Sequence, residues 1–259
     1  MRDDITYVII DTLHHKLSDY ALQKSHARFP LKHTLIFSDK PHEWGGHGIV
    51  QIPEIKTTAD YNKVVFYELP KYLKTDFALI LQYDGFVLSG NCFSERFLNC
   101  DYVGAFWPHH QEFCVGNGGF SLRSRKLICS LPEFLHPDDL NKAEDVVICR
   151  YLRARLEDKY GIKFASPKMA QLFSYEMKDP AQPTFGFHGI FNLPKLMGDD
   201  LEILFEHLNP KSVVRMFRAF RDSCELLPAE KRELFYDYCK RHSSDLIRYA
   251  EANARRQVA

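Results

Sequence analysis

The chain has 259 residues, enough for one large domain or one and a half, and its 45% hydrophobic and 26% charged content is that of an ordinary globular protein. With 34 Lys and Arg against 34 Asp and Glu, there is no global basic field to attract nucleic acid. No apolar run approaches the ~18 residues of a membrane span, and the start, MRDDITYVIID, lacks the apolar core and cleavage site of a signal peptide. The 7 cysteines form no CxxC pair and leave one odd, which argues against a disulfide framework or zinc ribbon. A reducing, cytoplasmic setting is the expectation.

Residues 5–11 read as a first strand, and residues 16–29 have helical spacing. Residues 33–37 predict a second strand, ending in Ser38-Asp39, and residues 40–48 are turn-rich, with Pro41 and Gly45-Gly46. A short third strand over 49–52 and a helix over 57–67, closed by Pro70, follow. Residues 77–81 form the most apolar strand. Strands alternating with helices of this length imply right-handed βαβ units and a mostly parallel sheet flanked by helices.

Beyond it, 102–105 and 119–122 are strand-like, 124–130 and 143–156 helical, and 163–165, 172–175 and 184–187 short and extended. From Asp199 the apolar period is near 3.6 throughout, which predicts a C-terminal helical extension. The expected division is residues 1–198 for an α/β domain and 199–259 for the extension, whose helices offer a surface for oligomerisation.

Four segments carry chemistry. The strand at 77–81 stops at Gln82-Tyr83-Asp84-Gly85, where a lone carboxylate sits in the crevice beyond the strand ends that open α/β sheets use for ligands. Asp-Gly equally suits a hairpin turn, with residues 86–88 as the returning strand. Residues 115–124, VGNGGFSLRS, hold three glycines in four positions, which suits close approach of a ligand to backbone amides and equally a bend entering a strand. At 141–147, NKAEDVV, Asn141 and Glu144 have capping-box spacing, while Glu144 and Asp145 also have the look of a general base at a cleft, with both carboxylates at the exposed mouth of a helix. At 184–189, TFGFHG, His188 stands between glycines as a metal ligand or a structural histidine.

The order QYDGF, DYVGAFW, VGNGGFSLRSRK, EDVVIC, FGFHG, over residues 5–190, resembles a family of expected glycosyltransferases catalogued largely as a domain of unknown function, with a GT-A-type fold. More remotely, the layout is similar to the β-1,4-galactosyltransferase type. The resemblance implies that Asp84, at the last acid of a DxD motif, helps bind Mn2+ or Mg2+ and the donor diphosphate. It implies that His188 is a late metal ligand, that Gly118 and Gly119 line the donor-sugar pocket, and that Glu144 or Asp145 is the base. Thr12, Ser38 and Asp39 would contact the nucleotide. Gln82 would lie on the donor but departs from the motif, because a neutral amide replaces its first acid and weakens the metal site.

The implied reaction moves a sugar from a nucleotide sugar, a UDP-sugar being the first guess, to an acceptor hydroxyl on a glycan, lipid-linked glycan, protein or nucleic acid. Two other readings stand beside it: a non-catalytic nucleotide-sugar or glycan-binding module, and a nucleotidyltransferase on a similar sheet.

Overall fold

A computed structural model describes residues 1–41 and 48–258, with side chains described to residue 250. The turn expected over 40–48 falls largely outside the described residues. The chain divides into two compact units, Met1–His188 and Gly189–Ala259.

The first unit is built on a six-stranded sheet. Its parallel part comprises β1 (Arg2–Ile10), β2 (Leu31–Ser38), β3 (Gly48–Gln51) and β4 (Phe77–Leu81), in the order β3-β2-β1-β4. Val8 lies in register with Leu35 on one side and Ile80 on the other. The strand Phe120–Ser124 then pairs antiparallel with β4, and β5 (Tyr102–Val103) pairs antiparallel with that strand at the edge. The fold is therefore α/β with a mixed, mostly parallel sheet flanked by helices.

Both faces of the sheet are buried, which is why β1 and β4 read as unbroken apolar runs rather than alternating ones. The two-residue period still sorts the side chains. Ile5, Tyr7, Ile9, Leu79 and Leu81 share one core with Leu22 of helix α1 (His15–Arg28) and with Phe173 and Phe185. Val8, Ile10, Ala78 and Ile80 share the other with Val64–Leu73 and Val147–Leu156 side chains.

Several local expectations change. Pro70 does not close the helix after residue 57. Helix α2 (Thr58–Lys63) widens into a π-helical turn, Val64–Glu68, and continues as Leu69–Tyr72. Pro70 sits in the first turn of that last piece, where its missing N–H costs little. The helix expected over 143–156 is broken into Glu144–Val146, a π-helical turn Val147–Tyr151, and Arg153–Tyr160, which ends on left-handed Gly161. Of the run expected to be extended over 172–175, only Ser174–Tyr175 is a strand; residues 167–173 are helical, because Ser166 caps Met169 N–H and Pro167 starts the helix.

Residues 86–88 do not return as a hairpin strand. Val87 instead bridges Gly186, of a two-residue strand Gly186–Phe187 that pairs in parallel with Ser174–Tyr175. All 7 cysteines are free, in keeping with the lack of a disulfide pattern, and Cys149 and Cys224 are the two that are buried.

The second unit is helical, from Leu193–Met197 to Ser243–Val258. Phe205, Phe220, Phe235 and Tyr238 pack ring against ring at its centre. Residues 189–198, expected with the α/β part, belong to this unit because Ile190–Met197 packs on the helix Phe217–Glu225. Among the described residues no helix is long and apolar enough to cross a membrane.

The central strands carry the stability of the first unit. Leu79→Ala empties a fully buried site on β4 and is expected to cost about 2–5 kcal/mol, measured as a lower urea midpoint with unchanged slope.

Candidate active site

Topology sets the place of the site. The chain leaves β1 in one direction for β2 and β3, and resumes on the other side of β1 with β4. The crevice beyond the carboxyl ends of β1 and β4 is the switch point where open α/β sheets bind ligands. The antiparallel strand Phe120–Ser124 runs the other way, so its beginning lies at the end of β4, with Phe120 opposite Leu81. That register delivers the glycine-rich segment to the Gln82–Gly85 loop, and Gln82 N–H donates to Gly119 O at 2.9 Å.

Asp84 and His188 meet there. Asp84 is 6% exposed, and its Oδ1 has no hydrogen-bond partner, although His188 Nε2 lies 3.3 Å away. The same nitrogen is 3.2 Å from Gln82 Oε1. On the far side of the ring, Nδ1 lies 3.2 Å from Glu176 Oε1 and 3.1 Å from Asn117 Nδ2. Burial works against charge on both groups, but their mutual attraction outweighs it: Asp84 is held below the usual carboxylate range and His188 well above the usual imidazole range. The histidine is fixed from behind, since its backbone N–H donates to Tyr175 O at 2.9 Å.

Backbone shape makes room for this pair. Asn117 adopts φ +72°, and its Oδ1 accepts the Gly119 N–H at 3.1 Å. A side-chain carbon on Gly119 would fall 2.0 Å from His188 Nε2, and one on Gly118 would fall 1.8 Å from Glu144 Oε1. Two residues upstream, the Trp107 ring lies against Gly116, where a side-chain carbon would sit 2.1 Å from it.

Glu144 and Asp145 have separate surroundings. No capping box forms: the residue before the helix is Ala143, without a side-chain cap, and Glu144 is already in the first turn. Glu144 is not at an exposed mouth either. It is 6% exposed and paired with the fully buried Arg123, Nη2 to Oε1, at 2.8 Å. Arg123 Nε donates to Ser121 Oγ (3.0 Å), whose hydroxyl donates to Gly118 O (3.1 Å). Burial opposes the Arg123 charge, yet Glu144 beside it raises its pKa above the ordinary value. Burial pushes the Glu144 carboxyl up, and Arg123 pulls it back only in part. Arg123 Nη1 and Glu144 Oε2 have no hydrogen-bond partner among the described residues. Asp145 is half-buried, and accepts Gly118 N–H at Oδ2 (3.1 Å) and Val146 N–H at Oδ1 (2.8 Å).

The remaining sequence candidates line the ends of β1 and β2. Thr12 Oγ1 accepts Ile55 N–H at 2.9 Å, Ser38 is fully buried with its carbonyl taking Ile52 N–H, and Asp39 pairs with His15 at 2.7 Å. Each of the three thus makes a contact within the framework of the strand ends. The link from this edge to Asp84 is His14, which stacks on Tyr83 with ring centroids 3.9 Å apart.

Five further residues belong to the cluster: Asn117, Arg123, Glu176, Tyr61, whose OH accepts from Gln82 Nε2 at 3.2 Å, and His14. Asn117 alone had a local signal, an Asn among glycines where a positive φ is tolerated.

The Arg123–Glu144 pair makes its own prediction. Arg123→Met strands a buried carboxylate and is expected to cost about 3–5 kcal/mol, most of it recovered in the double variant with Glu144→Leu. Urea unfolding of the two single variants and the double measures the coupling.

A family model described as "Protein of unknown function (DUF5672)" matches residues 51–188. No curated protein matches the chain. Among solved structures, an active-site mutant of LgtC is 10% identical with a TM-score of 0.49, covering 71% of this chain and 86% of that one. A glycosyltransferase involved in glycosylation of the major capsid of PBCV-1 is 12% identical at 0.46, covering 71% and 91%. The mannosyltransferase PcManGT from Pyrobaculum calidifontis, in complex with GDP-Man and Mn2+, is 8% identical at 0.45, covering 100% and 81%. These likenesses are of outline only. The family match spans more than half of the chain and contains β4, the glycine-rich segment, the Glu144-Asp145 helix start and His188, and the protein belongs to the DUF5672 family.

Proposed function

We propose that this protein is a glycosyltransferase that moves a sugar from a nucleotide-sugar donor to an acceptor hydroxyl, with help from a divalent cation. One observation carries the reading: Asp84, His188, the Gly118–Gly119 backbone and Asp145 converge at the carboxyl edge of the sheet, joined by an ion pair and by hydrogen bonds, with the Asn117 side chain linking His188 to Gly119.

The residues present fit a cation such as Mn2+ or Mg2+. Asp84 Oδ1 is a buried carboxylate oxygen without a hydrogen-bond partner. His188 Nε2 lies 3.3 Å from it and 3.2 Å from Gln82 Oε1. Adjacent donors around an ion with bonds of ~2.1 Å lie about 3 Å apart, so His188 Nε2 suits a coordination position next to either oxygen. Glu176, accepting at Nδ1, supplies the outer-shell carboxylate that turns Nε2 toward an ion. Among the described residues no cluster of three His, Cys, Asp or Glu could hold a metal alone. Such a site relies on diphosphate and water for its other ligands, so ion and donor bind together. When bound, the ion neutralises charge growing on the diphosphate leaving group.

Asp145 is the better base of the two acids. Two backbone N–H groups fix its carboxylate while leaving lone pairs free, and it is not engaged by a guanidinium. Glu144 is committed to Arg123. In transfer, the acceptor oxygen forms its bond to the anomeric carbon, the bond to the diphosphate breaks with its electron pair, and the acceptor proton passes to Asp145. Holding both partners in line supplies the remainder of the rate.

Two measurements test this. Thermal unfolding against UDP-, GDP-, CMP- and dTDP-sugars, with and without Mn2+, is expected to show a metal-dependent shift for one nucleotide class, worth about 2.7 kcal/mol at ~100 times the dissociation constant. No shift with any donor defeats the reading. Asp145→Asn is expected to lower turnover about 10²–10⁴-fold with the donor shift kept, whereas Glu144→Gln lowers stability first. Retained turnover in Asp145→Asn moves the base elsewhere.

A further inference from the structure

A cavity of about 290 Å3 opens beside the Asp84–His188 centre. Its lining includes Phe106, Gln171, Tyr175, Glu176, Lys178 and Asp179. Glu176 belongs to both places: it lines the cavity and stands 3.2 Å from His188 Nδ1. The spacing between them is fixed by main chain, because the strand Ser174–Tyr175 pairs with Gly186–Phe187 and His188 N–H donates to Tyr175 O.

We infer that this cavity is the acceptor subsite of the transferase proposed above, and that it takes an uncharged sugar ring of a glycan. The inference rests on the transferase reading for the word acceptor and on the cavity itself for the class of ligand. The volume is at the lower limit of small-molecule sites, about 300–1,000 Å3, which suits one ring rather than a length of polymer. Phe106 and Tyr175 offer flat carbon surfaces for the C–H face of a pyranose. Gln171, Glu176, Lys178 and Asp179 offer donors and acceptors for its hydroxyls. Glu176 is already paired with His188 and Asp179 balances Lys178, so the wall has no excess positive charge to hold a phosphorylated or carboxylated acceptor. The Tyr175 phenol, protonated at neutral pH like any tyrosine, adds a hydroxyl to this wall.

The experiment is saturation-transfer NMR on the full chain with Mg2+ and UDP or GDP. The probes are p-nitrophenyl α- and β-pyranosides of glucose, galactose, mannose and N-acetylglucosamine, with glucose 6-phosphate as the anionic control. The comparison variant is Gln171→Trp, which fills the cavity from an exposed helix position and leaves the core intact. The expected result is transfer from at least one neutral pyranoside, weakened roughly ten-fold or more in Gln171→Trp, while the nucleotide-sugar thermal shift stays. Signal from no pyranoside, equal signal in the variant, or preference for glucose 6-phosphate overturns the inference. A cavity-dependent pyranoside signal without any nucleotide-sugar shift overturns the transferase reading instead, and leaves the cavity as a neutral-sugar site.

Discussion

The antiparallel pairing of Phe120–Ser124 on β4 is the constraint on which the site depends. A parallel strand in that position would carry its glycines to the far end of the sheet. Running antiparallel, it places Gly118 and Gly119 beside Gln82–Gly85, and every later contact follows from that adjacency. Gly119 leaves space for His188, Gly118 leaves space for Glu144, and the Gly118 amide reaches Asp145. Parts from four separated stretches of chain thus share one register.

The buried Arg123–Glu144 pair has a different task from the chemistry around it. Through Ser121 it grips the Gly118 carbonyl, and through Glu144 it grips the start of the helix that carries Asp145. Buried ion pairs are poor sources of net stability, because desolvation offsets the attraction. Here the pair holds loop and helix in one relative position. It also explains why two adjacent acids behave differently: one turns inward to a guanidinium, and the other is held by two amides.

Much of the framework was legible in the sequence, because both sheet faces are buried and apolar runs report that directly. β1, β2, β4 and α1 fall within a few residues of their expected bounds. Asp84, His188, Gly118, Gly119, Glu144 and Asp145 were visible as motifs, and these are the candidates that the fold gathers. What the sequence hid was long-range. Glu176 has no local mark and matters only because two short strands align it with His188. Glu144 satisfied a capping pattern, and only the distant Arg123 decided otherwise. Thr12 and Ser38 lie at the strand ends where the sequence put them, but their contacts with the Ile55 and Ile52 amides come from a stretch of chain that no local pattern points to. Pro70 and Ser166-Pro167 show the same lesson locally, since proline ends helices or begins them according to its position in the first turn.

The contact between Trp107 and Gly116 gives the protein a built-in optical reporter. The indole is 6% exposed and rests on backbone two residues before Gly118. The sequence holds 2 tryptophans, Trp44 and Trp107, so replacing Trp44 with phenylalanine leaves a single emitter on the loop that orients Asp145. Any rearrangement of that loop as a ligand arrives changes the packing of the ring, and its emission follows the event in real time without an attached dye.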